Sequence, residues 1–296
     1  MNPTHPREVV ERLRALGHAP NPLLGQNFLI DANIRNLIVD TAQVREGERV
    51  LEIGPGLGVL TGCLLERGAR VVAVEKDPVL HAFLREEFGG HPRLELILSD
   101  FLDLNPGRWA RSAIDHVVAN LPYSSGSRMV VELTQLTDPP PDLTLTVQWE
   151  VAERLAAPAG TRQRGLLGVW AQRWYRVRIV KAIAGSCFYP VPEVKSAVVR
   201  LERADSAVAE GPRLAAFGRV LKAAFSQRRK QIRGILGQVT APGLLPLEPE
   251  AVERVLKAVG IDARSRPEVL TGDQWRDLTD ALLAERGPDG FKESIG

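Results

Sequence analysis

Over roughly the first two thirds of the chain, short apolar runs alternate with amphipathic stretches. Beyond that only helical spacing remains. Arg49–Ile53, Arg70–Val74, Leu94–Leu98, Asp115–Ala119 and Leu143–Gln148 read as strands. Between them the 3.6-residue spacing predicts helices. One runs from about Asp31 to Gln43, with Asp31 as N-cap and Ile34, Leu37 and Ile38 on one face. A second follows a Gly-rich turn and continues through Arg67, and a third covers Pro78–Phe88. Strands alternating with helices predict an α/β fold, a Rossmann-like parallel sheet covered on both faces. Tyr175–Ile183 and Ser196–Glu202 read as a final strand pair at the sheet edge, joined by a loop holding Pro190 and Pro192.

The pattern changes after about Ala204. Ala204–Gly211 is small and polar, as in a linker. Leu214, Phe217, Leu221, Ala224, Phe225, Ile232 and Leu236 then form an apolar stripe at helical spacing, and Ala251–Val259 and Gln274–Leu283 read as two more helices. We therefore expect a domain over residues 1–204 with an N-terminal extension, and a small helical domain over 205–296.

Composition changes this picture little. The chain has 296 residues and a formal charge of +2, so nucleic-acid binding has to rest on local clusters of charge. Two cysteines, Cys63 and Cys187, and five scattered histidines give neither a disulfide framework nor metal-ligand spacing, so no metal is expected. No apolar run reaches membrane-span length and no signal-peptide core is present. A cytoplasmic protein is expected, and a monomer by default because no apolar helix is left over.

Gly54, Gly56 and Gly58 follow a strand and open a helix. Glycine lets the backbone turn sharply and pass close to a ligand. A dinucleotide fingerprint would want its third glycine at position 59, which is Val59. The tighter G-x-G-x-G suits S-adenosylmethionine, which has no pyrophosphate to seat. An ordinary strand-to-helix turn explains the glycines equally well. Glu75 ends the next strand, 21 positions after Gly54, where a carboxylate can accept from both ribose hydroxyls. Asp100 ends the third strand and can accept from an adenine amino group. Solvated charges at strand ends are common, but three successive strand ends on the carboxyl edge favour a cofactor site.

Asn120-Leu121-Pro122-Tyr123 follows the fourth strand. An exocyclic adenine amine is a poor nucleophile because its lone pair is delocalised into the ring. The Asn120 side-chain oxygen and the Leu121 carbonyl can accept its two N–H bonds and favour a tetrahedral nitrogen. Pro122 fixes its own φ and biases Leu121 away from helix, which aims that carbonyl. Tyr123 can stack on the base. Alone, the run is equally a turn.

Seven blocks in order carry a family resemblance: Gly25-Gln26-Asn27-Phe28-Leu29; Glu52–Gly58 with Glu75; Asp100; Asn120–Tyr123; Gln148–Leu155; Phe188–Pro192; and Ala224–Lys230. With them the chain resembles the rRNA adenine N6,N6-dimethyltransferases, most closely those acting on two adjacent adenines near the 3′ end of small-subunit rRNA. The resemblance implies an S-adenosylmethionine-dependent enzyme whose activity is coupled to ribosome assembly. It also implies that Asn27 and Leu29 line the cofactor pocket with Gly54, Glu75, Asp100 and Asn120, and that Phe188 stacks on the target adenine opposite Tyr123. Two readings stand beside it: a large-subunit dimethyltransferase conferring antibiotic resistance, and a weakly active assembly factor. The chain departs from the family pattern at Trp149, where Lys is usual, and over Ser124–Arg128. It departs again at Glu193 and Lys195, whose charges are reversed, and at Arg164, where Tyr is usual.

Lys222, Arg229 and Arg233 fall at i, i+7 and i+11 on one predicted helical stripe, flanked by Arg228 and Lys230, and are expected to contact RNA phosphates. Arg162, Arg164, Arg173, Arg176 and Arg178 form a second basic group. Charge runs are more often solvated faces. The resemblance turns both groups toward rRNA.

Overall fold

The structure is a computed structural model that describes residues 6–21, 25–109, 113–136, 138–204, 212–237 and 246–286. The predicted linker lies outside the described residues beyond Ala204. Packing divides the chain into two compact units, Met1–Glu153 with Tyr175–Ala204, and Arg154–Trp174 with Asp205–Gly296. The sequence reading drew one boundary near residue 204. The segment Arg154–Trp174 falls to the second unit because Val169 and Trp170 share a core with Phe217, Leu221 and Trp275.

The first unit begins with α1 (Pro6–Ala15), β1 (Phe28–Leu29) and α2 (Ala32–Ala42). β2 (Arg49–Ile53), α3 (Val59–Glu66), β3 (Arg70–Glu75), α4 (Pro78–Phe88) and β4 (Leu94–Leu98) follow. Then come β5 (His116–Asn120), α5 (Gly126–Thr134), β6 (Asp142–Gln148) and the start of α6 (Trp149–Ala156). After an excursion, β7 (Tyr175–Ile183), β8 (Phe188–Tyr189) and β9 (Ser196–Arg203) complete it.

Seven strands form one sheet in the order β4-β3-β2-β5-β6-β9-β7. The first five are parallel; β9 runs antiparallel to β6, and β7 antiparallel to β9. The inner strands are mainly apolar and buried because both their faces are covered. Strand order reverses between β2 and β5, so their carboxyl ends open a crevice where such sheets bind ligands. Caps set the helix starts. Asp31 Oδ1 accepts from the N–H groups of Asn33 and Ile34 at 2.8 and 3.0 Å, and Asp77 Oδ1 from Val79 and Leu80 at 2.9 and 3.2 Å. Sequence periodicity missed β1 and β8, which are two residues each and pair antiparallel as Phe28 with Tyr189 and Leu29 with Phe188.

The second unit holds α7 (Leu166–Gln172), α8 (Pro212–Ser226), α9 (Ile232–Leu236), α10 (Pro249–Ala258) and α11 (Gly272–Arg286) around Trp170, Phe217, Leu221 and Trp275. The single predicted helix through Leu236 is broken. The Ser226 hydroxyl turns back to the Ala223 carbonyl at 2.8 Å, Gln227–Lys230 form an exposed turn, and Gln231 is extended. The Ile232 N–H then finds the Ser265 carbonyl at 2.8 Å rather than a helical partner. Arg228, Arg229 and Lys230 therefore lie on a turn, and the expected helical stripe with Lys222 and Arg233 does not exist.

The second basic group is also not a surface cluster. Arg164 is buried and donates to the Ala157 carbonyl at 2.8 Å and to Gln172. Arg173 is buried among the rings of Trp170, Trp174 and Phe217, at 4.8, 4.5 and 5.4 Å. Only Arg162, Arg176 and Arg178 of that group are exposed.

The amino edge of the sheet, away from the crevice, carries a polar network. Arg200 donates to Asp142 Oδ2 from Nε and Nη2 at 3.0 and 2.8 Å, and His116 meets Glu48 at 2.9 Å and Asp142 at 3.8 Å. Burial alone would push the His116 pKa down, but Asp142 and Glu48 outweigh it and raise it. The folded imidazole thus holds its proton to higher pH than the unfolded one. Its stabilising effect is complete below the unfolded value of about 6.5 and is lost as pH rises through the folded value. We expect the wild-type Tm to fall between pH 6 and pH 8.5, and His116→Gln to flatten that fall. An unchanged slope in the variant would remove His116 from the pH dependence.

Candidate functional site

The crevice at the carboxyl ends of β2 and β5 holds a cavity of about 320 Å³, a size that suits a small-molecule cofactor. Of the residues predicted for a cofactor, Asn27, Leu29, Gly54, Gly56, Glu75, Asp100 and Asn120 all line it, as do Leu121 and Pro122. Gly54 and Gly56 have positive φ, 68° and 59°. A Cβ on Gly54 would meet nothing within 4 Å, so the backbone there is open to a ligand.

Gly58 is different. It does not line the cavity, and a Cβ on it would come within 2.4 Å of the Phe88 ring. Its place in the glycine pattern comes from helix packing, so the expectation that it binds cofactor is corrected.

Glu75 is almost fully buried. Its Oε2 accepts the Gly56 N–H at 3.0 Å and its Oε1 the Asp77 N–H at 2.9 Å. Burial raises its pKa against the lowering by those N–H groups. Each oxygen keeps a second lone pair, the arrangement needed to accept two neighbouring hydroxyls. Asp100 Oδ1 accepts the Leu102 N–H at 2.9 Å, and Lys76 Nζ donates to its Oδ2 at 2.6 Å. Lys76 and its hydrogen bond outweigh the effect of burial and hold the Asp100 carboxyl below its usual range.

Asn120 is fixed by one bond. Its Nδ2 donates to the Asn27 carbonyl at 2.8 Å. A carbonyl only accepts, so this contact dictates the amide orientation. The Asn120 Oδ1 is thereby left buried with no donor among the described residues. A buried acceptor without a donor is costly, and a ligand N–H would relieve it. Tyr123 follows outside the cavity lining, half-buried, with its hydroxyl bonded to that of Ser196.

Phe188 does not stand opposite it with an open face. Its side chain is 0% exposed, in a core with Leu29, Ile183 and Val198, because pairing of β8 with β1 turns it inward. The expected base-stacking face is therefore not available on Phe188. Of the expected RNA contacts, Lys222, Arg229 and Arg233 are exposed. The Arg228 Nη2 is engaged by the Arg162 and Arg164 carbonyls at 2.8 and 2.9 Å.

Glu52, Lys76 and Arg128, which have no assigned role in the sequence reading, also line the cavity. Glu52 was legible only as part of the glycine block. It is 1% exposed and accepts from the Thr61 hydroxyl at 2.7 Å, and burial raises its pKa to about 8. Among the described residues no group of three or more His, Cys, Asp or Glu could hold a metal ion, and no helix is long and apolar enough to cross a membrane.

The raised value has a definite consequence. Folded Glu52 keeps its proton where the unfolded carboxyl has lost it, so this contribution to stability falls as pH rises from about 4.5 to about 8. Glu52→Gln keeps an acceptor for Thr61 without the charge. Its Tm is expected to exceed the wild-type value by several degrees at pH 8.5 and by much less at pH 5. Equal differences at both values would mean that Glu52 does not titrate in this range.

The sequence matches the family described as ribosomal RNA adenine dimethylase over residues 17–271. A relative from Phenylobacterium zucineum (strain HLK1), ribosomal RNA small subunit methyltransferase A, is 39% identical over 279 residues, covering 93% of each chain. The protein of the same name from Opitutus terrae is 38% identical over 93% of this chain and 98% of its own. The crystal structure of 23S rRNA methyltransferase ErmE superposes with a TM-score of 0.65 at 28% identity, covering 86% of this chain and 99% of that one. A dimethyladenosine transferase from Plasmodium falciparum shares the fold, with a TM-score of 0.73 at 22% identity over 89% of this chain and 98% of that one. The extent of the family match and the identity to these relatives show that the chain belongs to the ribosomal RNA adenine dimethylase family.

Proposed function

We propose that this protein transfers methyl groups from S-adenosylmethionine to the N6 amine of adenines in small-subunit rRNA, two adjacent adenines near its 3′ end, during ribosome assembly. One observation carries the reading: the buried, unpartnered Oδ1 of Asn120, fixed in place by the Asn27 carbonyl at the cavity wall. The names of the curated relatives at 38–39% identity support a small-subunit target over the large-subunit one of the 28% identical structure.

The residues present fit the cofactor. Glu75 offers two lone pairs to the ribose hydroxyls, Gly54 and Gly56 let the backbone approach, and Asp100 takes the adenine amino group, with Leu29 and Asn27 closing the pocket. When bound, the cofactor supplies an electrophilic methyl on a sulfonium. The protein's part is to hold the amine. Asn120 Oδ1 accepts one N–H and the Leu121 carbonyl the other, which draws the nitrogen toward a tetrahedral geometry and frees its lone pair for attack. Pro122 holds that carbonyl in direction. Tyr123, steadied through Ser196, lies against the base. Rate then comes from position and fixed dipoles. Exposed Lys222, Arg229 and Arg233 contact RNA phosphates, and the protein acts as a cytoplasmic monomer.

Asn120→Ala is expected to lower kcat by about 10²–10³-fold, the range for removing one fixed polar group of this kind. Cofactor affinity should change only a few-fold. Retained turnover would sink the amine-positioning role.

The substrate reading is tested by methyl transfer from labelled cofactor onto undermethylated small subunits, large subunits and naked rRNA, with mass spectrometry of the nucleosides. Dimethyladenosine on small subunits is the expected outcome. Product on large-subunit rRNA alone would give the protein the resistance-type target instead.

A further inference from the structure

Lys76 lines the cofactor cavity but has no task in the mechanism above. Its place is set by the sheet. β3 and β4 pair in parallel up to Glu75 and Leu98, and the Ser99 N–H continues the ladder to the Glu75 carbonyl at 2.9 Å. The next residue on each strand, Lys76 on one and Asp100 on the other, follows directly. The two side chains meet just beyond the strand ends, where Lys76 Nζ donates to Asp100 Oδ2 at 2.6 Å. Both residues line the cavity.

That bond restricts what Asp100 can do. Its Oδ1 accepts the Leu102 N–H at 2.9 Å while its Oδ2 accepts from Lys76. Each oxygen keeps a lone pair for a donor in the cavity, and an ionised carboxylate has no hydrogen to give. An exocyclic amine on a purine is a donor and suits it. A 6-oxo group in the same place is an acceptor and meets a negative charge. Two other charges bear on the pair. Arg128 of α5, which also lines the cavity, favours the charged form of Asp100 as Lys76 does, and Asp103, in the turn after Asp100, favours the charged form of Lys76. Of the two cations, only Lys76 is hydrogen-bonded to the Asp100 carboxylate among the described residues.

We propose that Lys76 is a positioning residue that makes the cavity specific for a 6-aminopurine cofactor, by holding the Asp100 carboxylate as an acceptor for the exocyclic amine. This rests on the reading above that Asp100 takes that amine. Without Lys76, burial of Asp100 is opposed only by the Leu102 N–H and Arg128, so the carboxyl takes up a proton more readily. A protonated Asp100 donates from one oxygen. It then loses its preference for the amine and gains a bond to a 6-oxo group. Removing Lys76 therefore makes the choice of purine depend on pH. Lys76 is 56% exposed, so the ion pair itself adds little to stability.

The experiment measures calorimetric Kd values of the full-length protein for S-adenosylhomocysteine and for S-inosylhomocysteine, its 6-oxo counterpart, at pH 5 and pH 7.5. The ratio of the two is the readout. Burial raises both Glu52 and Glu75 in the same cavity, but they act on parts that the two ligands share, and the difference at purine N1 is common to all variants. Wild type is expected to prefer the amino ligand by about 10–100-fold at both pH values, the range for one hydrogen bond to a charged group. In Lys76→Met the preference should fall about three- to tenfold between pH 7.5 and pH 5, as Asp100 protonates. Lys76→Arg keeps a charged donor and should restore a ratio independent of pH. Tm should stay near wild type in both variants. A Lys76→Met protein with the wild-type ratio at both pH values would overturn the proposal. So would one that binds the amino ligand more tightly than wild type, since Lys76 would then compete with the amine for Asp100. A wild type that binds both ligands equally would remove Asp100 from the amine, and the reading beneath the proposal would fall with it.

Discussion

The hydrogen bond from Asn120 Nδ2 to the Asn27 carbonyl joins two segments 93 residues apart into one object. Further contacts reinforce it. The Tyr123 N–H donates to the Gly25 carbonyl at 3.3 Å, and Asn27 Nδ2 donates to the same oxygen at 3.2 Å. Gly25 has φ of 65°, and a Cβ there would fall 2.6 Å from the Ser124 nitrogen, so only glycine allows the approach. The short β1–β8 pair anchors the other end of the segment. The wall of the cofactor cavity and the aim of the Asn120 oxygen are therefore set by the same few contacts. Anything that moves residues 25–29 moves both.

The cavity also brings two buried carboxyl groups close, each handled differently. Glu75 receives a backbone N–H on each oxygen, which supports its charge and leaves room for hydroxyl donors. Glu52 has one hydroxyl donor, feels the Glu75 charge and holds its proton up to about pH 8. Two like charges at this depth would be costly, so the environment keeps one acid neutral. Burial pushes the Glu75 carboxyl up as well, but there the Gly56 and Asp77 N–H groups work against it.

The sheet was readable because its strands are mainly apolar runs, and Asp31 sits where a helix start needs an acceptor. The cavity residues were readable because they stand at strand ends. What failed was decided by long-range contact. Gly58 has the spacing of a ligand-binding glycine, but Phe88, thirty positions on, determines its use. Phe188 is an aromatic in a loop by sequence and becomes core through a two-residue strand too short for any period. The Lys222–Arg233 stripe assumed that apolar spacing continued through Gln227–Lys230, whereas the Ser265 carbonyl captures the Ile232 N–H and starts a new helix. Arg164 and Arg173 look like surface charge in sequence; burial against Gln172 and three aromatic rings is invisible there.

The chemistry left to this site follows from which acids are already engaged. Of the carboxylates lining the cavity, Asp77 caps α4, Asp100 is paired with Lys76 and the Leu102 N–H, Glu75 is held by Gly56 and Asp77, and Glu52 is neutral below about pH 8. None is poised as a strong base beside Asn120. An aromatic amine does not require one, since its proton becomes acidic only after the nitrogen has been alkylated and can then leave to water. What the amine does require is loss of conjugation with its ring, and acceptors fixed in advance supply that. The Asn120 oxygen is such an acceptor: the bond from its amide nitrogen to the Asn27 carbonyl sets the direction of the oxygen before the substrate arrives.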